Sequence, residues 1–240
     1  MQNKKQYIII NNKKIIYKLN NKVFEPNLTT KLLIESVIKN IKSKKNISLV
    51  DLGCGSGIVG LTIAKILNLK NNLFFSDLSV DAIFNTRENI KFFKKKAIVK
   101  QGSMFDPWKN NKFDIIINDI SAISSLVSKI SPWFKKIPCE SGKDGTDLTM
   151  NFLKKLSEHT KKNSKIFFPI LSLSNEKKII NYAKKKFPNL KCVYNIAWPL
   201  PESMNNHKQK LLRLKKSNYI NFQIISGKIV CKTSVFMIKT

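Results

Sequence analysis

The chain has 240 residues, of which 42% are apolar, and a formal net charge of +29. Its length suits one sizeable domain with a small appended element, and its apolar content is typical of a globular protein. No apolar run reaches the roughly 18 residues of a membrane-spanning helix, and the N-terminus lacks the apolar core of a signal peptide. We therefore expect a cytoplasmic monomer without membrane contact.

The charge and the cysteines narrow the choice of partner and of metal site. Lysine supplies all but two of the 44 basic residues, whereas Asp and Glu total 15. A positive field of this size attracts nucleic acid or ribosomes. An AT-rich genome also favours lysine codons at positions without functional constraint. Codon bias and binding of an anionic partner therefore both remain as explanations of the charge. The four cysteines lie far apart and form no C-x-x-C pair, and we expect no metal site.

The predicted elements begin with a β-hairpin over residues 7–24 that turns at Asn11 and Asn12. After Pro26, we expect Thr29 or Thr30 to cap a helix. Strands and helices then alternate. We place strands at 47–52, 72–77, 97–101, 113–118 and 165–171, and helices at 58–69, 80–93, 144–162 and 174–187. We expect residues 203–210 to form a mobile loop and residues 221–239 to form an antiparallel hairpin.

This order predicts the fold class. Strands that alternate with helices of this length form βαβ crossovers and a mainly parallel sheet with helices on both faces. We predict an α/β, Rossmann-like, doubly wound fold. Its seven-stranded sheet would be mainly parallel, with an N-terminal β-hairpin and a C-terminal antiparallel hairpin. We divide the chain into an extension at residues 1–45 and a cofactor-binding domain at residues 46–240.

A glycine loop follows the first strand of that domain. The segment VDLGCGSGIVG places Gly53, Gly55 and Gly57 at alternate positions after Asp51. Such a loop between strand and helix lets the backbone approach a ligand. Gly55, Gly57 and Gly60 also satisfy a dinucleotide fingerprint, with Asp77 placed to bind ribose hydroxyls. The acid followed by three alternating glycines favours S-adenosylmethionine, and a dinucleotide is the alternative.

Four ordered segments resemble the class I S-adenosylmethionine-dependent methyltransferases. They are VFEPNLTTKLLIE (23–35), the glycine loop, the acid of SDLS with the FDIII strand, and SGKDGTDL (141–148). More narrowly, they resemble the small-domain type that includes the HemK/PrmC glutamine methyltransferases and certain rRNA and tRNA base methyltransferases. The bacterial glutamine enzymes carry an N-terminal helical substrate domain, for which we expect no room before the glycine loop.

The resemblance implies a role for each matching residue. Asp51 and the three glycines would line the cofactor, and Asp77 would bind its ribose. Ser103 stands where the family usually has an acid that meets the adenine amine, and a serine hydroxyl can accept the same hydrogen bond. Met104 and Phe105 would pack on the adenine or in the core. Pro26 and Thr29 would lie near the mouth of the site. Asp144 and Gly145 would shape the loop that leaves it, although helix capping and turn formation are favoured for these two residues over a direct role.

The sequence departs from the family at the catalytic strand end. The family has N-P-P-Y there, whereas this chain has Asn118 and Asp119 followed by Ile and Ser. By the resemblance, Asn118 would accept a hydrogen bond from the substrate nitrogen. Asp119 would cap the next helix together with Ser121, shape the loop, or hold and deprotonate an amine. Trp133 or Phe134 could supply the missing aromatic ring.

The resemblance implies a methyltransferase with S-adenosylmethionine as cofactor. The acceptor would be a nitrogen on a macromolecule connected with translation, with a protein side chain preferred. An RNA base is one alternative, favoured by the charge. An RNA- or ribosome-binding module with a vestigial cofactor site is the other.

Overall fold

The structure is a computed structural model that describes residues 3–42, 46–120, 122–134, 137, 139 and 141–240. The strands are β1 (Lys4–Ile10), β2 (Lys13–Leu19), β3 (Leu49–Leu52), β4 (Leu73–Asp77), β5 (Ile98–Gln101), β6 (Phe113–Asn118), β7 (Thr160–Leu171), β8 (Lys191–Pro199), β9 (Gln223–Ile225) and β10 (Lys228–Lys239). The α-helices are α1 (Leu28–Asn40), α2 (Ile58–Ile66), α3 (Val80–Phe92), α4 (Ser125–Ser128), α5 (Asp147–Lys155), α6 (Glu176–Lys186) and α7 (Lys208–Lys216).

The main sheet has the strand order β5-β4-β3-β6-β7-β10-β8, and β9 pairs with β10. The first five strands of this order pair in parallel, whereas β10 runs antiparallel to β7, β8 and β9. The predicted α/β fold is confirmed, and the sheet has eight strands instead of seven because β8 adds one that was not predicted. The order reverses at β3, and ligands of such sheets bind at the carboxyl ends of the strands near this point.

Helices cover both faces of the sheet, because alternate residues of its strands are apolar on both sides. In β6, Ile115 and Ile117 join a core cluster with α1 and α2 on one face. Ile116 joins a second cluster with α5 and α6 on the other face. These near-continuous apolar strands are typical of a buried parallel sheet.

The N-terminal hairpin forms its own two-stranded sheet, as predicted. Its turn residues Asn11 and Asn12 have φ angles of 46° and 61°, which asparagine tolerates in a tight hairpin turn. The predicted cap at Thr29 or Thr30 is wrong. Helix α1 starts at Leu28, and Asn27 caps it by accepting hydrogen bonds from the amides of Thr29 and Thr30. Buried residues of this segment share a core cluster with α2 and β3. The division of the chain at residue 45 stays a prediction.

The C-terminal third corrects the sequence interpretation. Residues 203–210 are not a loop, since a 3₁₀ helix (Glu202–His207) leads directly into α7. Strand β8 was not predicted, and neither was α7, where Leu211 and Leu214 are buried against a third apolar cluster. The predicted helix at 144–162 is shorter, because a 3₁₀ turn follows α5 and β7 already begins at Thr160.

The described residues contain neither a candidate membrane span nor a candidate metal-binding cluster. None of the helices in this part of the chain is both long and apolar enough to cross a bilayer. The same residues contain no group of three or more His, Cys, Asp or Glu side chains that could hold a metal ion.

Two asparagines of α3 attach the hairpin to the main domain. Asn89 accepts from the amide of Lys18 and donates to the carbonyls of Lys18 and Ser56, each at 2.8 Å. Asn85 accepts from the amide of Asn20 and donates to Lys18, each at 3.0 Å. Both asparagines are fully buried. They therefore satisfy backbone groups of β2 and of the glycine loop that would otherwise be buried without partners.

We expect Asn89→Ala to lower the free energy of unfolding by about 1–3 kcal/mol, because it leaves buried backbone groups unpaired. Urea denaturation measures the change. The matched control is Asn71→Ala at an exposed position, which should stay within about 0.5 kcal/mol of the original protein. Equal midpoints for the two variants would contradict the role of Asn89.

Candidate active site

The glycine loop joins β3 to α2 at the centre of the sheet. Gly53, Gly55 and Gly57 have φ angles of 64°, 56° and 75°, in the left-handed region that glycine enters without strain. A Cβ atom on Gly53 would lie 2.5 Å from Cγ1 of Ile120, so no side chain fits there. The loop therefore presents its bare backbone to the cleft above it.

Asp51 lies fully buried in β3, one residue before its end. Its Oδ2 accepts a hydrogen bond from the amide of Gly60 at 2.9 Å, whereas its buried Oδ1 has no hydrogen-bond partner among the described residues. Burial raises the pKa of this carboxyl to about 8, and the charges of Asp119 and Asp77 add to the effect. The free oxygen can accept a further donor or a cation.

Asp77 ends β4 beside the loop. Its Oδ2 accepts from the amide of Gly55 and its Oδ1 from the amide of Ser79, each at 2.9 Å. Burial raises the pKa of Asp77 despite these bonds. Each carboxylate oxygen has a second lone pair, so both can still accept hydrogen bonds from a ligand.

A cleft of about 370 Å³ lies above the loop. It brings together most of the predicted cofactor residues: Gly53, Gly55, Asp77, Ser103 and Met104 all line it. We call this the cofactor cleft. Phe105 does not line it, because its ring is buried and stacks on His159 with centroids 4.1 Å apart. Of the two roles considered for Phe105, the structure shows core packing.

Asn118 ends β6 and is buried. Its Oδ1 accepts from the amide of Ile120 at 3.0 Å, which closes a tight turn at the strand end. Asn118 is not among the described residues that line the cofactor cleft. It orients the loop that carries Asp119, while one lone pair of its amide oxygen remains.

The prediction that Asp119 caps the next helix is wrong. That helix, α4, is capped by Ser124, whose Oγ accepts a hydrogen bond from the amide of Leu126. Ser121, the other predicted cap residue, lies outside the described residues. The Oδ2 of Asp119 instead accepts a hydrogen bond from Oγ1 of Thr30 at 2.9 Å. Burial raises its pKa to about 7.

A second cavity, of about 110 Å³, adjoins the cleft, and we call it the aromatic pocket. Its lining includes four aromatic residues: Phe24, Trp133, Phe134 and Trp198. The rings of Phe24 and Phe134 lie 5.3 Å apart, and those of Trp133 and Trp198 lie 5.8 Å apart. Both cavities share the residues Phe24, Thr30, Asp119, Ile120 and Phe134. Asp119 therefore stands at their junction.

The remaining predicted positions divide between the site and its frame. Pro26 lines the cofactor cleft and Thr29 lines the aromatic pocket. Asp144 is structural, since it accepts from the hydroxyl of Thr146 at 2.8 Å and pairs with Lys178 at 2.9 Å.

The sequence interpretation missed Thr30 as a partner of Asp119, and it missed Phe24 and Trp198. Thr30 and Phe24 lie within the resembling segment at residues 23–35. Trp198 belongs to β8, which lies outside that segment.

The sequence of this chain is similar to that of known proteins. Residues 24–119 match the family model of the methyltransferase small domain. The chain is 29% identical over 189 residues to the release factor glutamine methyltransferase of Borreliella burgdorferi, covering 76% of this chain and 65% of that protein. It is 25% identical over 177 residues to a candidate protein N5-glutamine methyltransferase of Methanocaldococcus jannaschii, covering 74% and 86%.

Among solved structures, the 16S rRNA N2 G1207 methyltransferase of T. thermophilus, in complex with AdoMet and guanosine, superposes with a TM-score of 0.64. The identity is 10%, over 99% of this chain and 50% of that one, so this likeness concerns the fold. The chain spans less than two thirds of the Borreliella protein. The match of residues 24–119 to the methyltransferase small-domain model covers less than half of this chain, and it confirms the predicted resemblance.

The raised pKa of Asp119 gives a prediction for stability. An unfolded aspartate titrates near 3.9, whereas the folded carboxyl titrates at about 7. Between these values the folded state holds a proton that the unfolded state has lost. The contribution of Asp119 to stability is therefore fully present below about pH 4 and is lost as the pH rises through 7.

Asp119→Asn should therefore show a smaller loss of stability between pH 5 and pH 8 than the original protein, by urea denaturation at each pH. A residual loss should remain in the variant, because the pKa of Asp51 is also raised. Parallel pH profiles for the two proteins would contradict the raised pKa of Asp119.

Proposed function

We propose that this chain is an S-adenosylmethionine-dependent methyltransferase, and the match of residues 24–119 to the methyltransferase small-domain model supports the proposal. Its acceptor would be a nitrogen on a protein side chain of a translation-related substrate. One observation carries the proposal: a cleft lined by Gly53, Gly55 and Asp77 adjoins a separate pocket, and the carboxylate of Asp119 lines both. This arrangement suits two reactants that must meet at one point.

The described residues fit this cofactor. S-adenosylmethionine carries an ammonium and a sulfonium, and two carboxylates, those of Asp77 and Asp119, line the cleft in a chain of net charge +29. Asp51 is fully buried outside the cleft lining, where it accepts a hydrogen bond from the amide of Gly60. The oxygens of Asp77 can accept ribose hydroxyls. The bare glycine backbone leaves room for close approach.

The bound cofactor supplies an electrophilic methyl group, and the residues of the chain supply orientation. Thr30 holds the carboxylate of Asp119 at the junction of the two cavities. Asp119 can then accept an N–H of the acceptor and direct its nitrogen toward the cleft. The rings of Phe24 and Phe134, like Asp119, line both cavities. Catalysis of this kind rests on proximity and orientation. Asn118 is a positioning residue, since it acts through the backbone of Ile120.

The link to translation is supported by the relatives and by charge. The Borreliella relative is named for a release factor, and the T. thermophilus structure for 16S rRNA. Helix α7 is rich in lysine and arginine and packs by Leu211 and Leu214 on an apolar cluster that Trp133 and Trp198 also touch. A basic surface near the aromatic pocket suits a substrate on or near the ribosome. We propose that the protein acts there, in the cytoplasm, as a monomer.

An RNA base remains the second candidate acceptor, because the same charge and the rRNA-related fold favour it. A module that binds RNA with a vestigial cofactor site is the third. It would bind RNA with a steep salt dependence and would take up no cofactor product.

Asp77→Ala should weaken binding of S-adenosylhomocysteine by about tenfold to a hundredfold, since it removes charge-assisted hydrogen bonds worth about 1.5–3 kcal/mol. Calorimetric titration measures the affinity. Asp106→Ala removes the same charge at the ion pair with Lys155, outside the cleft lining, and should leave binding unchanged. If the original protein binds no S-adenosylhomocysteine at millimolar concentration, the proposed function is lost.

Labelled methyl transfer into a ribosome-containing lysate should place the label in protein. Ribonuclease treatment should leave it in place, and protease should release it. Asn118→Ala should keep cofactor binding and lose most of the transfer, because the loop that carries Asp119 loses its hydrogen bond. Label that ribonuclease releases and protease does not would select the RNA base instead.

A further inference from the structure

The aromatic pocket has an unusual charge for this chain. Asp119 is its one charged group among the described lining residues, and no lysine or arginine is among them. The chain as a whole carries 44 basic and 15 acidic residues. A lining that excludes basic groups in so basic a protein suits a ligand that is itself a cation.

The carboxylate of Asp119 lacks a counter-charge. Within the part of the chain that the structure describes, Thr30 supplies its hydrogen bond at 2.9 Å and no ion pair reaches it. A half-buried carboxylate with one neutral donor is costly, and a cationic partner would remove that cost. Burial raises the pKa of this carboxyl to about 7, and the hydrogen bond from Thr30 opposes the shift only in part.

The walls of the pocket suit the rest of such a ligand. Aromatic faces attract ammonium groups, by about 0.5–2 kcal/mol each. Four aromatic residues take part in the lining, and Leu28, Ile123 and Leu171 add an aliphatic surface. An alkyl stem can lie along these side chains while its ammonium reaches the carboxylate.

We infer that the aromatic pocket receives a primary alkylammonium, as on a lysine side chain, and that Asp119 is its counter-ion and proton acceptor. The inference rests on the proposed function and specifies its acceptor. It departs from the amide acceptor that the names of the relatives print. The physical reason is that Asp119 adds a negative charge where the N-P-P-Y pattern has a proline.

In the first step of the transfer, the ammonium gives one proton to the carboxylate of Asp119 and becomes a neutral amine. The lone pair of the amine forms a bond to the methyl carbon as the bond from carbon to sulfur breaks, and its electron pair stays on sulfur. The product is a methylammonium, and the proton on Asp119 passes to water when the product leaves. The apolar walls favour the neutral amine, which assists the first step.

Binding of small probes to the cofactor-free protein tests this inference. The probes are n-butylammonium chloride and the neutral pentanamide, titrated above pH 7, where Asp119 is ionised. Trp133 and Trp198 line the pocket, so their fluorescence reports its occupation, whereas Trp108 is buried elsewhere. We expect a saturable change with n-butylammonium and at least about tenfold weaker binding of pentanamide.

Variants locate the effect. Asp119→Asn keeps the shape and a hydrogen-bond acceptor but removes the charge, so n-butylammonium should bind about tenfold more weakly and pentanamide about as before. Asp106→Asn should change neither affinity. Trp133→Phe should reduce the fluorescence change.

Tighter binding of pentanamide than of n-butylammonium to the original protein would overturn the inference, and so would equal affinities of Asp119→Asn and the original protein for n-butylammonium. Either result leaves the proposed function standing, because that depends on binding of S-adenosylhomocysteine.

Discussion

The parallel pairing of β3 with β4 on one side and with β6 on the other positions everything else in the site. In this register, Leu52 lies beside Ser76 of β4 and beside Asn118 of β6. The three strands therefore end at the same edge of the sheet, where β4 ends on Asp77 and β6 ends on Asn118, both polar groups of the site. A shift by one residue would turn each of these side chains to the opposite face. The geometry of the site is thus a consequence of strand register.

Three carboxylates close to that edge make the cleft electrostatically distinct from the rest of the molecule. Burial raises the pKa of Asp51, Asp77 and Asp119, and the charges of Asp77 and Asp119 contribute to the shift at Asp51. The outer surface is strongly basic. One surface thus suits an anionic macromolecule, and one recess suits positively charged ligands. The two features explain how a single chain could hold a cationic cofactor and also approach a polyanion.

The segment before the glycine loop contributes to the site directly. Helix α1 brings Thr30 to Asp119, and the loop before it brings Phe24 to both cavities. The buried Asn85 and Asn89 hold the hairpin against the main domain, and Asn89 also bonds the carbonyl of Ser56 in the glycine loop. One set of hydrogen bonds therefore links the hairpin to the glycine loop. A disturbance of the hairpin would reach the cofactor cleft through them.

The sequence by itself determined the α/β fold class and the glycine loop, and it predicted most of the residues that line the cofactor cleft, because these depend on local patterns. Alternating apolar runs, glycines at fixed spacing and an acid at a strand end are each readable along the chain. Only the tertiary structure decided the partner of Asp119, the walls of the aromatic pocket and the presence of β8 and α7. Thr30 and Asp119 are 89 residues apart in sequence. Trp198 lies on β8, in which exposed and partly buried residues do not alternate regularly. Contacts of that range depend on how separate elements pack, which no local pattern records.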